Sequence, residues 1–213
     1  MSHFDWSLYL VTDRRLAGAR PLPDLVAAAI RGGVTAVQLR EKDCATREFV
    51  ELARALKALL APLAVPLIVN DRVDVALAAG ADGVHVGQSD MDCGDVRRIL
   101  GPTAAIGLSV ETMEQALNAP PEADYLGAGP IFATPTKIDA APAWGLAALA
   151  ALRRASSRTV VAIGGIHREN ASAVIASGAD GIAVVSEICA APDAELAARM
   201  LHREIVDGRR VRR

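Results

Sequence analysis

Short β-branched apolar runs alternate along the chain with Ala- and Leu-rich stretches of helical period. Eight of these runs are predicted strands, at residues 8–11, 35–39, 67–69, 83–86, 104–107, 125–128, 160–163 and 181–185. Helical stretches lie between and after them, for example at residues 23–31, 47–60 and 146–155. Strand–helix alternation is typical of a parallel sheet, and eight such units without a break predict an α/β protein with a (β/α)8 TIM-barrel fold. An open, doubly wound sheet is the alternative.

The composition fits one catalytic domain over residues 1–213. The 213 residues are 52% apolar, which allows a substantial core, and no linker rich in Pro and Gly divides them. The last six residues, Gly-Arg-Arg-Val-Arg-Arg, form a short basic tail that we expect to be solvated and frayed. Gly-Ala-Asp-Gly occurs at residues 80–83 and again at 178–181, and each first glycine is expected to end a helix.

Charge and cysteine content exclude several functional classes. A net charge of −2 gives no footprint for nucleic acid, and no apolar run is long enough to span a bilayer. The first residues lack the basic and apolar segments of a secretory signal. Three cysteines without CxxC spacing, Cys44, Cys93 and Cys189, indicate reduced thiols. We therefore expect a cytoplasmic protein with small-molecule partners, and the oligomeric state is left open.

A row of polar side chains ends the second predicted strand. Because side chains alternate between the two faces of a strand, Gln38, Arg40 and Lys42 share one face and Glu41 lies on the other. Two cations at a strand end favour an anionic ligand, because Arg and Lys form strong charge-assisted hydrogen bonds with phosphate oxygens. Lys42 is also one of only three lysines among 23 basic residues; the others are Lys57 and Lys137.

Polar residues cluster in the same way after the other strands, at the end of the barrel where TIM barrels carry their sites. These residues are Asn70, Asp71, Gln88, Ser89, Asp90, Ser109, Thr134, Thr136, Lys137, Gly164, Gly165 and Ser186. Asp71 and Asp90 are candidate Mg²⁺ ligands, since Mg²⁺ prefers hard oxygen ligands and keeps several waters. The alternative is that each caps the helix that follows it. His85, within an apolar strand, is expected to be a hydrogen-bonded core histidine rather than a ligand.

A second anion site is predicted after strands seven and eight. Backbone N–H groups there commonly hold a phosphate in barrels, and Gly165 would permit close approach. Ser186, with Thr134 and Thr136, could contact such a monophosphate, and two tight turns are the alternative. The first site would hold a diphosphate with Mg²⁺ through Arg40, Lys42, Lys137 and the two aspartates. Two anion sites suggest two substrates, one on each side of the barrel mouth.

These residues together resemble the thiamine-phosphate synthase family, whose members join the pyrimidine and thiazole halves of thiamine. The resemblance spans nearly the whole chain, from Tyr9 to Ser186. It is carried by residues 38–42, Asn70-Asp71-Arg72, Gly83-Val84-His85-Val86-Gly87-Gln88 with Asp90, Gly129-Pro130-Ile131-Phe132 with residues 134–137, and Ala162-Ile163-Gly164-Gly165-Ile166.

The resemblance implies a role for each candidate residue, with Mg²⁺ as the cofactor. Contacts to hydroxymethylpyrimidine diphosphate would come from Gln38, Arg40, Lys42, Asn70, Ser109 and Lys137, of which Arg40, Lys42 and Lys137 would be catalytic. Asp71 and Asp90 would bind Mg²⁺. Contacts to the thiazole phosphate, or its carboxylated form, would come from Thr134, Thr136, Gly165, Val185 and Ser186. The residue that stacks on the heterocycles is left open, with Tyr125, Phe132 and Trp144 as candidates by position only.

Two other functions compete with the synthase. A thiazole tautomerase shares the thiazole-phosphate side but needs a proton-transfer residue, and Glu111 stands where such relatives are expected to carry histidine. A non-catalytic sensor of phosphate ligands could use the same barrel. Retention of both carboxylates and of the cations favours the synthase over either, because binding alone need not activate a leaving group.

Overall fold

In a computed structural model that describes residues 4–134 and 142–212, eight parallel strands close into a barrel in sequence order, β1 to β8. The predicted TIM barrel is therefore confirmed. The strands are β1 Leu8–Val11, β2 Ala36–Leu39, β3 Leu67–Asn70, β4 Gly83–Val86, β5 Ala105–Val110, β6 Tyr125–Ala128, β7 Thr159–Ile163 and β8 Gly181–Val184. The largest departure from prediction is β5, which runs three residues further, to Val110.

Helices connect the strands on the outside of the barrel. They are α1 Arg14–Ala17, α2 Leu22–Arg31, α3 Thr46–Leu60, α4 Val73–Ala79, α5 Cys93–Leu100, α6 Met113–Leu117, α7 Gly145–Ala155, α8 Arg168–Ala176, α9 Ser186–Cys189 and α10 Ala194–Arg212. Gly80 ends α4 with φ 64° and ψ 37°, the left-handed conformation expected from the repeated Gly-Ala-Asp-Gly.

Strand alternation divides the core into two layers. Val37 and Leu39 of β2 point outward into the large core between sheet and helices, whereas Ala36 points inward. The inner cluster also holds two aromatic rings, Tyr9 and Tyr125. Trp6, just before β1, stacks on Tyr125 with ring centroids 4.2 Å apart. The interior is thus packed with side chains at the end where the strands begin.

Four residues tie neighbouring strands together in pairs at that same end. Each lies just before an even-numbered strand, and its side-chain oxygen accepts an N–H of the preceding strand while its own N–H donates back to that residue. The four are Thr35 on Leu8, Asp82 on Leu67, Asp124 on Ile106 and Asp180 on Val160. Helix cations neutralise the three carboxylates: Lys57, Arg97 and Arg153. The aspartate of Gly-Ala-Asp-Gly therefore has a structural role.

The expectation of a frayed tail is wrong. Helix α10 continues to Arg212, and its arginines bond to the end of the barrel where the strands begin. Arg209 donates to Ser7 Oγ at 2.6 Å and to the Asp180 carbonyl at 3.1 Å, and Arg212 donates to the Ala179 carbonyl at 3.1 Å. These bonds join the last helix to the residues that directly precede β1 and β8.

Candidate functional site

A cavity of about 820 Å³ opens at the end of the barrel where the strands finish. Every candidate residue within the described ranges lines it: Gln38, Arg40, Lys42, Asn70, Asp71, Asp90, Ser109, Thr134, Gly165, Val185 and Ser186. Thr136 and Lys137 lie outside the described residues. The barrel thus brings together side chains that are up to 148 positions apart in the chain, from Gln38 to Ser186.

The cationic row of β2 lies as the strand alternation predicts. The backbone N–H of Arg40 donates to Thr12 Oγ1 at 3.1 Å, and its guanidinium lies 3.9 Å from the carboxylate of Asp13. Glu41 points away from the cavity and pairs with Arg14 at 3.2 Å, with its side chain only 7% exposed. Arg40 and Lys42 therefore face the cavity, while Glu41 belongs to the surrounding structure.

Asp71 has an unusual backbone conformation for a residue with a side chain. Its φ is +61°, a left-handed conformation that aspartate tolerates better than most residues but that still costs free energy. Its N–H donates to the His85 carbonyl at 2.8 Å, so the turn is fixed to the neighbouring strand. Its Oδ2 accepts from Lys42 Nζ at 2.7 Å. The strained turn holds the carboxylate beside the cationic row.

Neither candidate metal ligand caps a helix, so the capping alternative is wrong for both. The N-cap of α4 is Arg72, and that of α5 is Asp92, whose side chain accepts from the Gly94 N–H. Asp90 instead accepts the Gly87 N–H at 2.7 Å through Oδ2, within the loop after β4. The carboxylate of Asp90 is thereby held at the cavity rather than at the start of a helix.

The two carboxylates have the donor chemistry that suits Mg²⁺. In Asp71 and in Asp90 the bonds above engage Oδ2, and Oδ1 accepts no hydrogen bond from a described residue. Two hard oxygen ligands suit an ion that retains water and also binds substrate phosphates. Among residues 4–134 and 142–212 no cluster of three or more His, Cys, Asp or Glu side chains could hold a metal.

The glycines after β7 have a structural reason to be glycine, in addition to the predicted approach of a phosphate, which stays a prediction. Gly164 and Gly165 have φ of 95° and 63°, and a Cβ on Gly165 would lie 2.7 Å from the Ala133 carbonyl oxygen. The neighbouring loop after β6 is therefore what approaches so closely, and Phe132 N–H bonds to the Gly164 carbonyl at 3.0 Å. The two glycines therefore allow the loops after β6 and β7 to pack together, and both loops line the cavity with Val185 and Ser186.

Hydrogen-bonded rings form the floor of the cavity. His85 is 8% exposed, and its ring nitrogens contact Tyr125 Oη at 3.1 Å and Ser109 Oγ at 2.9 Å. The prediction of a hydrogen-bonded core histidine is confirmed, and His85 also lines the cavity. Burial lowers its pKa to about 4, against an opposing effect from the charge of Asp90. The imidazole is therefore neutral near pH 7.

Sequence reasoning missed Tyr9 as a cavity residue because it lies within an apolar run, whereas Tyr125 is among the predicted stacking candidates. Burial raises the pKa of each phenol, so both hydroxyls stay protonated. Of the three aromatic residues that sequence position suggested could stack on a heterocycle, Tyr125 and Phe132 line the cavity. Trp144 packs against the outer core, and its Nε1 donates to the Glu111 carbonyl at 2.7 Å.

Within the ranges that the structure describes, no helix has the length and apolarity needed to cross a membrane.

Comparisons with known proteins agree with this geometry. Residues 8–188 match the family model described as thiamine monophosphate synthase. A thiamine-phosphate synthase of Albidiferax ferrireducens is 58% identical over 201 residues, 94% of this chain and 91% of the relative. One of Azorhizobium caulinodans is 54% identical, covering 97% and 98% of the two chains. A solved structure of thiamine phosphate pyrophosphorylase from Pyrococcus furiosus superposes with a TM-score of 0.88 at 40% identity, covering 96% of this chain and 97% of that one. The chain belongs to the thiamine monophosphate synthase family.

Proposed function

We propose that the protein joins 4-amino-2-methyl-5-hydroxymethylpyrimidine diphosphate to 4-methyl-5-(2-phosphoethyl)thiazole, or to its carboxylated form. The products are thiamine phosphate and diphosphate, and CO2 is released in addition when the carboxylated thiazole is the substrate. The C–O bond between the pyrimidine methylene and diphosphate breaks, and the lone pair of the thiazole nitrogen forms the new C–N bond. For the thiazole itself no proton is transferred, so the reaction needs no general base.

The observation that carries this proposal is one cavity with two differently equipped walls. Strands β2, β3 and β4 supply cations and carboxylates, and strands β7 and β8 supply glycine backbone and a hydroxyl. In a closed barrel of eight strands ordered β1 to β8, β3 lies opposite β7. A diphosphate on one wall and a monophosphate on the other would place a reacting centre between them, and such positioning supplies much of the catalysis of a two-substrate reaction.

The cations of this site would act on the leaving group. Negative charge develops on the diphosphate as its bond to carbon breaks, and fixed positive charge at that place lowers the barrier. Arg40, Lys42 and Lys137 are proposed for this role, and Gln38, Asn70 and Ser109 for contacts to the pyrimidine side. An electron-rich aminopyrimidine stabilises positive charge at the methylene, so departure of diphosphate can precede attack.

Asp71 and Asp90 would hold Mg²⁺ through carboxylate oxygens. A bound Mg²⁺ would add positive charge beside the diphosphate oxygens. The bonds that hold these two carboxylates engage Oδ2 in each. The Oδ1 atoms, which accept no hydrogen bond from a described residue, support this assignment. On the opposite wall Thr134, Gly165, Val185 and Ser186 would contact the thiazole phosphate. Thr136, which lies outside the described residues, is proposed for the same role.

The direct test is an assay with purified protein, both substrates and Mg²⁺, in which thiamine phosphate and diphosphate are both quantified. We expect the two products in equal amounts, and neither product when one substrate is omitted. The control is Arg40→Ala, which keeps the backbone bond from residue 40 to Thr12 and should lower turnover by about 100-fold. Absence of product from wild-type protein that binds both substrates would overturn the proposal.

A further inference from the structure

Five side chains form a continuous hydrogen-bonded chain across the floor of the cavity. Gln38 Nε2 lies 3.0 Å from Tyr9 Oη, which lies 2.9 Å from Tyr125 Oη. Tyr125 Oη lies 3.1 Å from His85 Nδ1, and His85 Nε2 lies 2.9 Å from Ser109 Oγ. The two ends of the chain, Gln38 and Ser109, line the cavity on β2 and β5. We call these five residues the floor chain.

The strands leave space for this chain by lacking side chains beside it. A Cβ on Gly107 would lie 2.2 Å from Tyr125 Cζ and 2.3 Å from His85 Nδ1. A Cβ on Gly127 would lie 2.8 Å from His85 Cε1. Neither glycine has a positive φ, so backbone conformation does not require glycine at either position. The rings of His85 and Tyr125 do require it, so the floor chain is a built feature of the barrel.

The hydrogen bonds of the floor chain can run from donor to acceptor in only one direction at a time. With Gln38 Nε2 toward Tyr9, the Tyr9 oxygen accepts that bond and its hydrogen goes to Tyr125. Tyr125 then donates to His85 Nδ1, and His85 Nε2 donates to Ser109 Oγ. If Tyr125 instead donated to Tyr9, the Tyr9 hydrogen would have no acceptor in a site where the residue is 1% exposed, and unpaired buried donors are costly. Reversal therefore requires that the Gln38 amide turn over as well.

A neutral imidazole is what transmits this direction. It has one donor and one acceptor nitrogen, so His85 accepts on one side and donates on the other. Each of its ring nitrogens lies within hydrogen-bond distance of a hydroxyl group, Tyr125 Oη on one side and Ser109 Oγ on the other. With the direction seen here, the Ser109 hydrogen is free to point into the cavity. Gln38 Oε1, which accepts no bond from a described residue, is then the acceptor at the other end.

We propose that Tyr9, Tyr125 and His85 are positioning residues that couple Gln38 to Ser109, so that the floor presents an acceptor at one end whenever it presents a donor at the other. This inference rests on the proposed function, and it names the feature of the pyrimidine that is recognised. An exocyclic amine is a hydrogen-bond donor and a pyrimidine ring nitrogen is an acceptor. A ring with one of each matches a coupled pair, whereas a ring with two acceptors leaves one cavity group unpaired.

The test compares two ring alcohols that lack the diphosphate: 4-amino-5-hydroxymethyl-2-methylpyrimidine and its 4-methoxy analogue. The methoxy oxygen replaces a donor by an acceptor. Calorimetry of the full-length wild-type protein should show at least about tenfold tighter binding of the amino form, because one unpaired polar group costs that much or more. In Tyr125→Phe the ratio should fall to about threefold or less, because Gln38 is then free to turn its amide.

Tyr9→Phe breaks the next link and should give the same reduced ratio, so the test does not depend on one variant folding. Both substitutions keep the rings that pack against Trp6. Affinity for Mg²⁺ with inorganic diphosphate should be unchanged in both variants, which a general loss of structure would not allow. Thr35→Val, at the opposite end of the barrel, is the matched control and should keep the wild-type ratio.

An unchanged ratio in both phenylalanine variants overturns the coupling while leaving the proposed function in place. Wild-type protein that binds neither ring overturns the coupling too. In that case the assay for thiamine phosphate shows separately whether the proposed function fails with it. A loss of diphosphate affinity equal to the loss of ring affinity also overturns it, because the floor chain would then only support the fold.

Discussion

Two lysine–aspartate pairs, at opposite ends of the barrel, have nearly the same geometry and different surroundings. Lys57 lies 2.6 Å from Asp82 where the strands begin, and Lys42 lies 2.7 Å from Asp71 where they finish. Asp82 also accepts the Leu67 N–H at 2.8 Å, so both its oxygens are bonded. In Asp71 only Oδ2 is bonded to a described residue, in a strained turn that faces a cavity. The ion pair alone does not mark a site; the unused bonding capacity around it does.

Replacement of individual lysines by alanine should show the largest difference in kcat between the two ends of the barrel. Lys42→Ala and Lys137→Ala should each lower kcat by about 100-fold or more, because each removes positive charge from the leaving group. Lys57→Ala should leave kcat within about twofold and lower the free energy of unfolding by about 1–2 kcal/mol. Steady-state kinetics and urea denaturation separate the two effects. Equal losses of kcat in Lys42→Ala and Lys57→Ala would contradict the distinction between the two ends.

Acid should weaken the fold through His85 if the cavity floor is as dry as the opposite end. The pKa of His85 is lowered to about 4 by burial, below its ordinary value of about 6.5. The unfolded chain therefore binds the proton first, and stability is lost as pH falls through the window between these two values. Linkage gives a loss of about 2 kcal/mol between pH 7 and pH 5.

Urea denaturation at several pH values measures this loss, and His85→Gln is the control because it lacks the titrating ring. The variant should lose less stability than wild type over the same pH range. Parallel curves for the two proteins would mean that His85 titrates normally. Water would then reach the floor of the cavity, and the difference in burial between the two ends of the barrel would be smaller than the structure indicates.

Replacement of Asp90 and of Asp82 by alanine should distinguish a metal ligand from a residue that only stabilises the fold. Asp90→Ala should raise the Mg²⁺ concentration for half-maximal activity by about tenfold, since it removes one of two proposed ligands. Asp82→Ala should leave that concentration unchanged and destabilise the protein by about 2 kcal/mol, because the Leu67 N–H and the Lys57 ammonium lose their partner. A titration of activity with Mg²⁺ and a melting curve for each variant are sufficient. An unchanged titration in Asp90→Ala would return Asp90 to a role in its loop.

The smallest expected effect concerns the backbone of Asp71. Asp71→Gly should be more stable than Asp71→Ala by about 1 kcal/mol, because glycine adopts a φ of +61° without strain. Both variants should lose activity, because both lack the carboxylate. Thermal denaturation measures the difference, and Ala78→Gly on the exposed face of α4 is the reference in which glycine should be the less stable residue. Equal stability of the glycine and alanine variants would show that the turn at Asp71 stores no strain.

The strands and the cavity walls could be predicted from the sequence because both depend on local order. Apolar runs of β-branched residues predicted the strands, and the polar residues within four positions after each run predicted the wall, as with Arg40 and Asp90. The floor could not be predicted, because Tyr9 and Tyr125 meet across 116 positions and each looks like ordinary core. Asp71 was predicted at the site, but its strained turn depends on a bond to the His85 carbonyl that no local pattern reveals.

The ties at Thr35, Asp82, Asp124 and Asp180 divide the barrel into quarters. Each tie joins an odd-numbered strand to the even-numbered strand that follows it, so β1–β2, β3–β4, β5–β6 and β7–β8 each carry their own side-chain bond. A circular permutation with new termini between β2 and β3 would keep every tie within continuous chain, whereas one between β3 and β4 would split a quarter. The side-chain ties thus repeat every two strands, and the barrel consists of four tied pairs of strands.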